Sequence, residues 1–343
     1  MAARVTLVLL AIVLLHPLTA LALRNASWVG VVRGSAIIPL PDLNRPDPSS
    51  LRLWAEAATL MGDDSGMLAW NRAVELSSDP LIRVKRGMLL AVIGRTEDAS
   101  ADWLAVGATG QTLYGSSERA TVLGQRTMSV ALLIAAVRAY VGPLTARQFL
   151  IASDRLEQAG ERDIAEGALN RAAEASVQDP RSAAVALVRI GTLHREKGNS
   201  SLAEEVLTCA IAVDPLYSPA FFALGNLAMS RRDCAAALDY FRRGAAPGTT
   251  EPGPNVGLGF VLMQLGRLDE AKDQLVGVVG AVPNSADARF RLAQALLLGG
   301  DRTDALRQVN AALELKPTIS EYRRLRDGIL AGDGTVDTGV CVR

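Results

Sequence analysis

Histidine is almost missing from this sequence. Only His16 and His194 occur, so a histidine-dependent nucleophile triad has no credible second candidate. Neither HExxH, nor a phosphate-binding P-loop, nor a dinucleotide GxGxxG is present. The three cysteines stand at 209, 234 and 341. None share metal-ligand spacing and there is no CxxC, so three unpaired thiols are expected. Charge of one sign is also lacking. Lys+Arg and Asp+Glu are both 36, which removes the basic footprint of a nucleic-acid binder. Aromatics are only 4%, which favours close-packed helices over a β-rich fold. These absences predict no catalytic residue, no cofactor, no metal and no nucleic-acid partner.

What is present suffices to fold. Hydrophobic residues make up 49% of 343 and charged residues 21%, outside the composition of a disordered chain. The start, "MAARVTLVLLAIVLLHPLTALALR", is apolar from Val5 to Leu23. Those 19 residues just match a bilayer core of ~30 Å, and Arg4 and Arg24 bracket them. This predicts residues 1–24 to be a retained membrane anchor with the remaining chain outside the cytoplasm. The alternative is a secretory signal cleaved near Ala22, leaving a secreted or periplasmic protein. His16 and Pro17 weaken the anchor reading without removing it. Residues 25–50 contain Pro39, Pro41, Pro46 and Pro48 and read as an extended linker.

From Ala184 the chain repeats itself every 34 residues, in units starting at Ala184, Ser218, Pro252 and Ala286. Position 8 is Gly191, Gly225, Gly259 and Ala293. Position 20 is alanine four times: Ala203, Ala237, Ala271 and Ala305. Position 24 is Leu207, Phe241, Leu275 and Val309, and position 32 is proline in three units. Positions 4, 7, 8 and 11 form one face of a first helix; 20, 24 and 27 form one face of a second. Small residues at 8 and 20 let the two helices cross closely, and the bulky residue at 24 fills the space beside the crossing. Between them, "KGNSS", "RRD", "LGRLD" and "LGGDR" supply residues that end one helix and cap the next.

This pattern resembles the tetratricopeptide repeat family. The likeness is weakest at position 4, usually a large aromatic, where the units carry Leu187, Phe221, Asn255 and Arg289. The resemblance implies an all-α fold, a right-handed α-α superhelix after the N-terminal segment. Degenerate helical repeats are expected over 51–180, four regular units over 181–317, a capping helix over 318–331 and a flexible tail over 332–343. Upstream, "AWNRAVELSSDP" and "LNRAAEASVQDP" look like second helices stopped by Pro80 and Pro180. "MSVALLIAAVRAYV" (128–141) is apolar nearly all round and too short to span a membrane, which predicts a buried helix. In "SEYRRLRDGIL", Tyr322, Leu325 and Ile329 share one face, as an end cap requires.

In the family, a concave groove is lined by positions 2, 5, 9 and 12 of each first helix. Carried over, the resemblance implies a partner-binding groove of Phe222, Asn226, Met229, Val256, Phe260, Met263, Phe290 and Gln294. The family's carboxylate clamp needs Lys at 5 and Asn at 9 of one unit. Asn226 is present, but Phe222 stands at 5, which argues against that clamp. A mainly apolar groove suits an amphipathic helix or extended peptide. The expected function is a non-catalytic scaffold that binds a protein or peptide partner and assembles an extracytoplasmic or envelope complex, held to the membrane through the N-terminal segment if that is uncleaved. The alternative is an accessory subunit that positions an envelope enzyme for glycan processing or secretion.

Overall fold

The structure is a computed structural model and describes residues 65–245, 252–332 and residue 336. Among these residues it contains sixteen helices and no strand. The expected anchor over 1–24, the linker over 25–50 and most of the tail lie outside the described residues. The membrane-anchored localisation is corrected. Among the described residues no helix is long and apolar enough to cross a membrane. The longest, Pro180–Glu196, has 17 residues, ~26 Å at 1.5 Å per residue, and ends in charge.

The chain divides into two compact units, residues 1–168 and 169–343. In the first unit the helices are α1 (Ser65–Leu76), α2 (Pro80–Val92), α3 (Thr96–Ala105), α4 (Gly110–Val122), α5 (Arg126–Arg138) and α6 (Ala146–Ala159). Next, α7 (Arg162–Glu174) runs across the boundary. Pro80 and Pro180 were expected to stop helices. Each instead stands at the first turn of a new one, behind Asp79 and Asp179, whose carboxylates accept from Leu81 N and Ser182 N. Proline has no N–H to lose there, and its fixed φ suits a helix start.

The first unit departs from regular pairing at its centre. In a simple array α3 would meet α4. Here α5 packs against α3, α2, α4 and α6. The reason is its composition: Met128, Ala131 through Val137 and Ser129 are all buried, so it has no face to give to water. Around it, Trp103 fills the gap opposite Gly87 and donates from Nε1 to the Val84 carbonyl at 3.3 Å. Asp102, only 2% exposed, accepts Arg86 Nε at 2.7 Å and Nη2 at 2.6 Å. That bidentate pairing satisfies a carboxylate that would otherwise be costly to bury.

The second unit contains α8 (Pro180–Glu196), α9 (Ser200–Val213), α10 (Ser218–Ser230), α11 (Cys234–Gly244), α12 (Pro252–Gln264), α13 (Leu268–Ala281), α14 (Ala286–Leu298), α15 (Arg302–Leu315) and α16 (Ser320–Ala331). Four pairs stack, each second helix touching its own first helix and the next. Every residue at positions 8, 20 and 24 is buried. The turns between partners hold Gly198, Gly266 and Gly300 at positive φ, and Arg232 takes the same place with φ 60°. Asp233 and Asp301 cap the helices that follow through their side chains, whereas Asn199 and Arg267 make no side-chain cap bond. In the two units with a polar residue at position 4, a hydrogen bond holds that residue. Gln274 Nε2 donates to Asn255 Oδ1 at 2.8 Å, and Arg289 Nη1 donates to Gln308 Oε1 at 3.0 Å.

At the end of the array α16 buries Tyr322, Leu325 and Ile329. Tyr322 stacks on Phe290 with centroids 4.6 Å apart. The expectation of three unpaired thiols is also corrected: Cys209 is free and exposed, but Cys234 is disulfide-bonded.

Candidate functional site

Within the second unit, neighbouring first helices touch one another: α8 with α10, α10 with α12, α12 with α14. Neighbouring second helices make no comparable contact. A stack whose first helices are closer together than its second helices bends toward the first helices, which therefore line its inner face.

The eight groove residues fall into three groups on these helices. Asn226 is exposed. Phe222, Val256 and Phe260 are half-buried. Met229, Met263, Phe290 and Gln294 are buried, Met263 to 1%. Phe222 reaches across to the next first helix, where a methyl group on Gly253 would meet its ring at 3.3 Å. It also leans on Phe241, with centroids 6.0 Å apart. Phe290 is held under Tyr322, so it is a core residue of the cap contact.

Sequence reasoning missed Arg291. Its guanidinium lies 4.2 Å from the Phe260 centroid and 5.4 Å from that of Phe290. Nη1 donates to Gln294 Oε1 at 2.8 Å. Burial pushes its pKa below the ordinary arginine value, against the nearby charges of Glu321 and Asp287, and it remains a cation. The available signal was its place between two aromatics one helix apart, which only the stacking of α12 on α14 brings together. Asp287 is occupied elsewhere: it accepts Lys316 Nζ at 3.1 Å and the Tyr322 hydroxyl. Partial burial works against its carboxylate, but those two hydrogen bonds outweigh it and hold the pKa below the usual aspartate value.

This arrangement suits contact more than reaction. It offers an aromatic and aliphatic row, one exposed amide and one stacked cation. Among the described residues no group of three or more His, Cys, Asp or Glu side chains is placed to hold a metal ion. His194 is half-buried, with Nδ1 buried and without a hydrogen-bond partner.

Residues 188–252 and 262–328 match the tetratricopeptide repeat family. No curated protein matches the chain. Among solved structures, the chain is similar to YrrB, described as a TPR protein with an unusual peptide-binding site. Identity there is 21% over 53% of this chain and 92% of that one, with a TM-score of 0.39. It is similar to TTC0263, a thermophilic TPR protein of Thermus thermophilus, at 21% identity over 55% of this chain and 100% of that one (TM-score 0.44). It is also similar to the Cut9–Hcn1 hetero-tetramer of the APC/C, at 16% identity over 78% of this chain and 52% of that one (TM-score 0.49).

Proposed function

This chain is a tetratricopeptide-repeat protein, and from that premise we propose that it is a non-catalytic scaffold that takes a protein or peptide partner on the first-helix face of its second unit. Proteins of this family are generally protein-interaction scaffolds. The observation that carries the reading is the half-buried row Phe222, Val256 and Phe260 beside exposed Asn226. Half-buried apolar side chains in a row can lose their remaining water against a partner, at ~25 cal/mol per Å² of apolar surface. Asn226 can fix a peptide backbone, because an amide both donates and accepts. Arg291, stacked over Phe260, adds a cation at one end of the row and suits a partner segment that pairs apolar side chains with a carboxylate.

The test is site-specific photo-crosslinking in a native extract. A photoreactive residue would replace Asn226 on the first-helix face or, as comparison, exposed Lys272 on second helix α13. Adducts from position 226 and none from 272 are expected. Adducts at 272 alone, or equally at both, would remove this face as the partner surface.

A further inference from the structure

We propose that the partner segment is an extended peptide of alternating apolar and polar residues ending on an aspartate or glutamate, and that Arg291 reads that acidic side chain. The inference rests on the first-helix face being the partner surface and names what that surface selects. Three observations carry it.

The first is what Arg291 lacks. A guanidinium carries five N–H donors. Here Nη1 donates to Gln294 Oε1 at 2.8 Å, and among the described residues no carboxylate forms an ion pair with it. Asp287, one turn earlier on α14, is taken by Lys316 and by the Tyr322 hydroxyl. Gln294 is 9% exposed and holds one arm of the fork, while Arg291 itself stays half-buried. Stacking on Phe260 at 4.2 Å limits the planar group to few orientations. A fixed fork of this kind fits a carboxylate, which takes two parallel hydrogen bonds, better than it fits a single carbonyl.

The second is charge. The helices that carry Phe222, Val256 and Phe260 read "SPAFFALGNLAMS" and "PGPNVGLGFVLMQ". Neither contains a charged residue, so nothing on them repels an acid or competes for it.

The third is Asn226, exposed beside the apolar row. A helical partner keeps its backbone N–H and C=O groups bonded within itself and offers this amide little. An extended one leaves them unpaired along its length, so Asn226 selects the extended form.

Register then sets the spacing. Asn226 and Phe260 both stand at position 9, on first helices that touch, so one step of packed helices, about 8–10 Å, separates them. A carboxylate on Arg291 lies a few ångströms further on. An extended chain rises about 3.3 Å per residue and alternates its faces, so the acid falls about four residues beyond the one held by Asn226. The first and third residues then lay apolar side chains on Phe222 and Val256.

The test is fluorescence polarisation with the full chain and pentapeptides labelled at the N-terminus and amidated at the C-terminus. Residues one and three are Leu, Val or Phe, two and four are Ser, and five is Glu, Gln or Lys; each peptide is also made in reverse order. The best Glu peptides are expected to bind about tenfold or more tighter than their Gln counterparts, with Lys weakest. Moving Glu to residue four, Arg291→Gln and Arg291→Lys should each remove most of that preference. Equal binding of Glu and Gln peptides to the wild type overturns the inference whether or not the variants fold, as does a preference that survives in Arg291→Gln. Binding only of Gln peptides with a free C-terminus overturns the side-chain assignment. If no peptide binds while position 226 still gives crosslinked adducts, the extended acidic segment is wrong and the face stands; if position 226 gives none, the face itself is wrong.

Discussion

The Phe241 ring leaves Gly225 no room for a side chain: a methyl group there would overlap the ring edge, and one on Gly257 would stand 2.5 Å from Cε1. The ring is wedged between the first helices of two successive repeats and cannot move away from either. Gly225→Ala is therefore expected to be destabilising. Overpacking costs ~1–3 kcal/mol, and with both sides closed the upper half of that range applies. It exceeds the ~1 kcal/mol gained by replacing glycine within a helix. The control is Gly277→Ala in α13, where nothing lies within 4 Å and the helix gain should appear alone. The fourth unit shows the compensation, with Ala293 facing the smaller Val309. Phe241→Val should accordingly cost less in the Gly225→Ala background than in the wild type. Denaturant midpoints of the four proteins decide it; additive effects would show that the ring does adjust.

Arg232 offers a stabilising substitution. It stands at φ 60° where the other three repeat turns have glycine. A side chain in that region costs ~1–2 kcal/mol, and glycine gives back ~0.5–1 kcal/mol through the greater freedom of its unfolded chain. Arg232→Gly should raise stability by roughly 0.5–1 kcal/mol, seen as a higher Tm. An unchanged or lower Tm would show that the arginine side chain supplies a contact that offsets its backbone strain.

Much of this fold could be read from the sequence, and the reason is mechanical. The contacts at positions 8, 20 and 24 join residues of one unit, so a 34-residue window contains both sides of each. The buried character of α5 was legible because an all-apolar helix has no other place to go. Its position between α3 and α4 was not, because pairing order depends on which neighbour best covers it. The groove shows the same limit. Register places Phe222 and Phe260 on one face, but not Arg291 over the Phe260 ring, nor the burial of Met263. The stacked cation depends on how α12 packs on α14, which no single 34-residue window contains.

Asp102 tests the first unit alone. Its carboxylate is 2% exposed and is held by Arg86 through two hydrogen bonds, with Arg83 Nη1 3.6 Å away. Removing one partner of a buried pair leaves the other charge uncompensated, a loss of ~3–5 kcal/mol. Asp102→Ala is expected to bring early proteolysis to residues 65–168, whereas exchanging both Asp102 and Arg86 for apolar residues of similar size should cost much less. If the single substitution has no effect, the pair is solvated more than its burial indicates.

The contact between Tyr322 and Asp287 should give the cap a stability that falls off at both ends of the pH scale. Burial, then the hydrogen bond to Asp287, raise the pKa of the Tyr322 phenol above the ordinary tyrosine value. The same hydrogen bond, with that from Lys316, lowers the Asp287 pKa. A depressed carboxylate contributes stability above its unfolded value, ~3.9, and loses it as pH falls through the folded value. A raised phenol contributes below its unfolded value, ~10, and loses it as pH climbs through the folded value. The difference in stability between wild type and Tyr322→Phe is thus expected to be flat from about pH 5 to 9. It should shrink below about pH 4 and again above about pH 10. Asp287 is 64% exposed, so water screens the interaction and the plateau will be low. Chemical denaturation of both proteins across that range supplies the curve. A difference that does not change with pH would mean that Tyr322 holds α16 through its stacking on Phe290 alone.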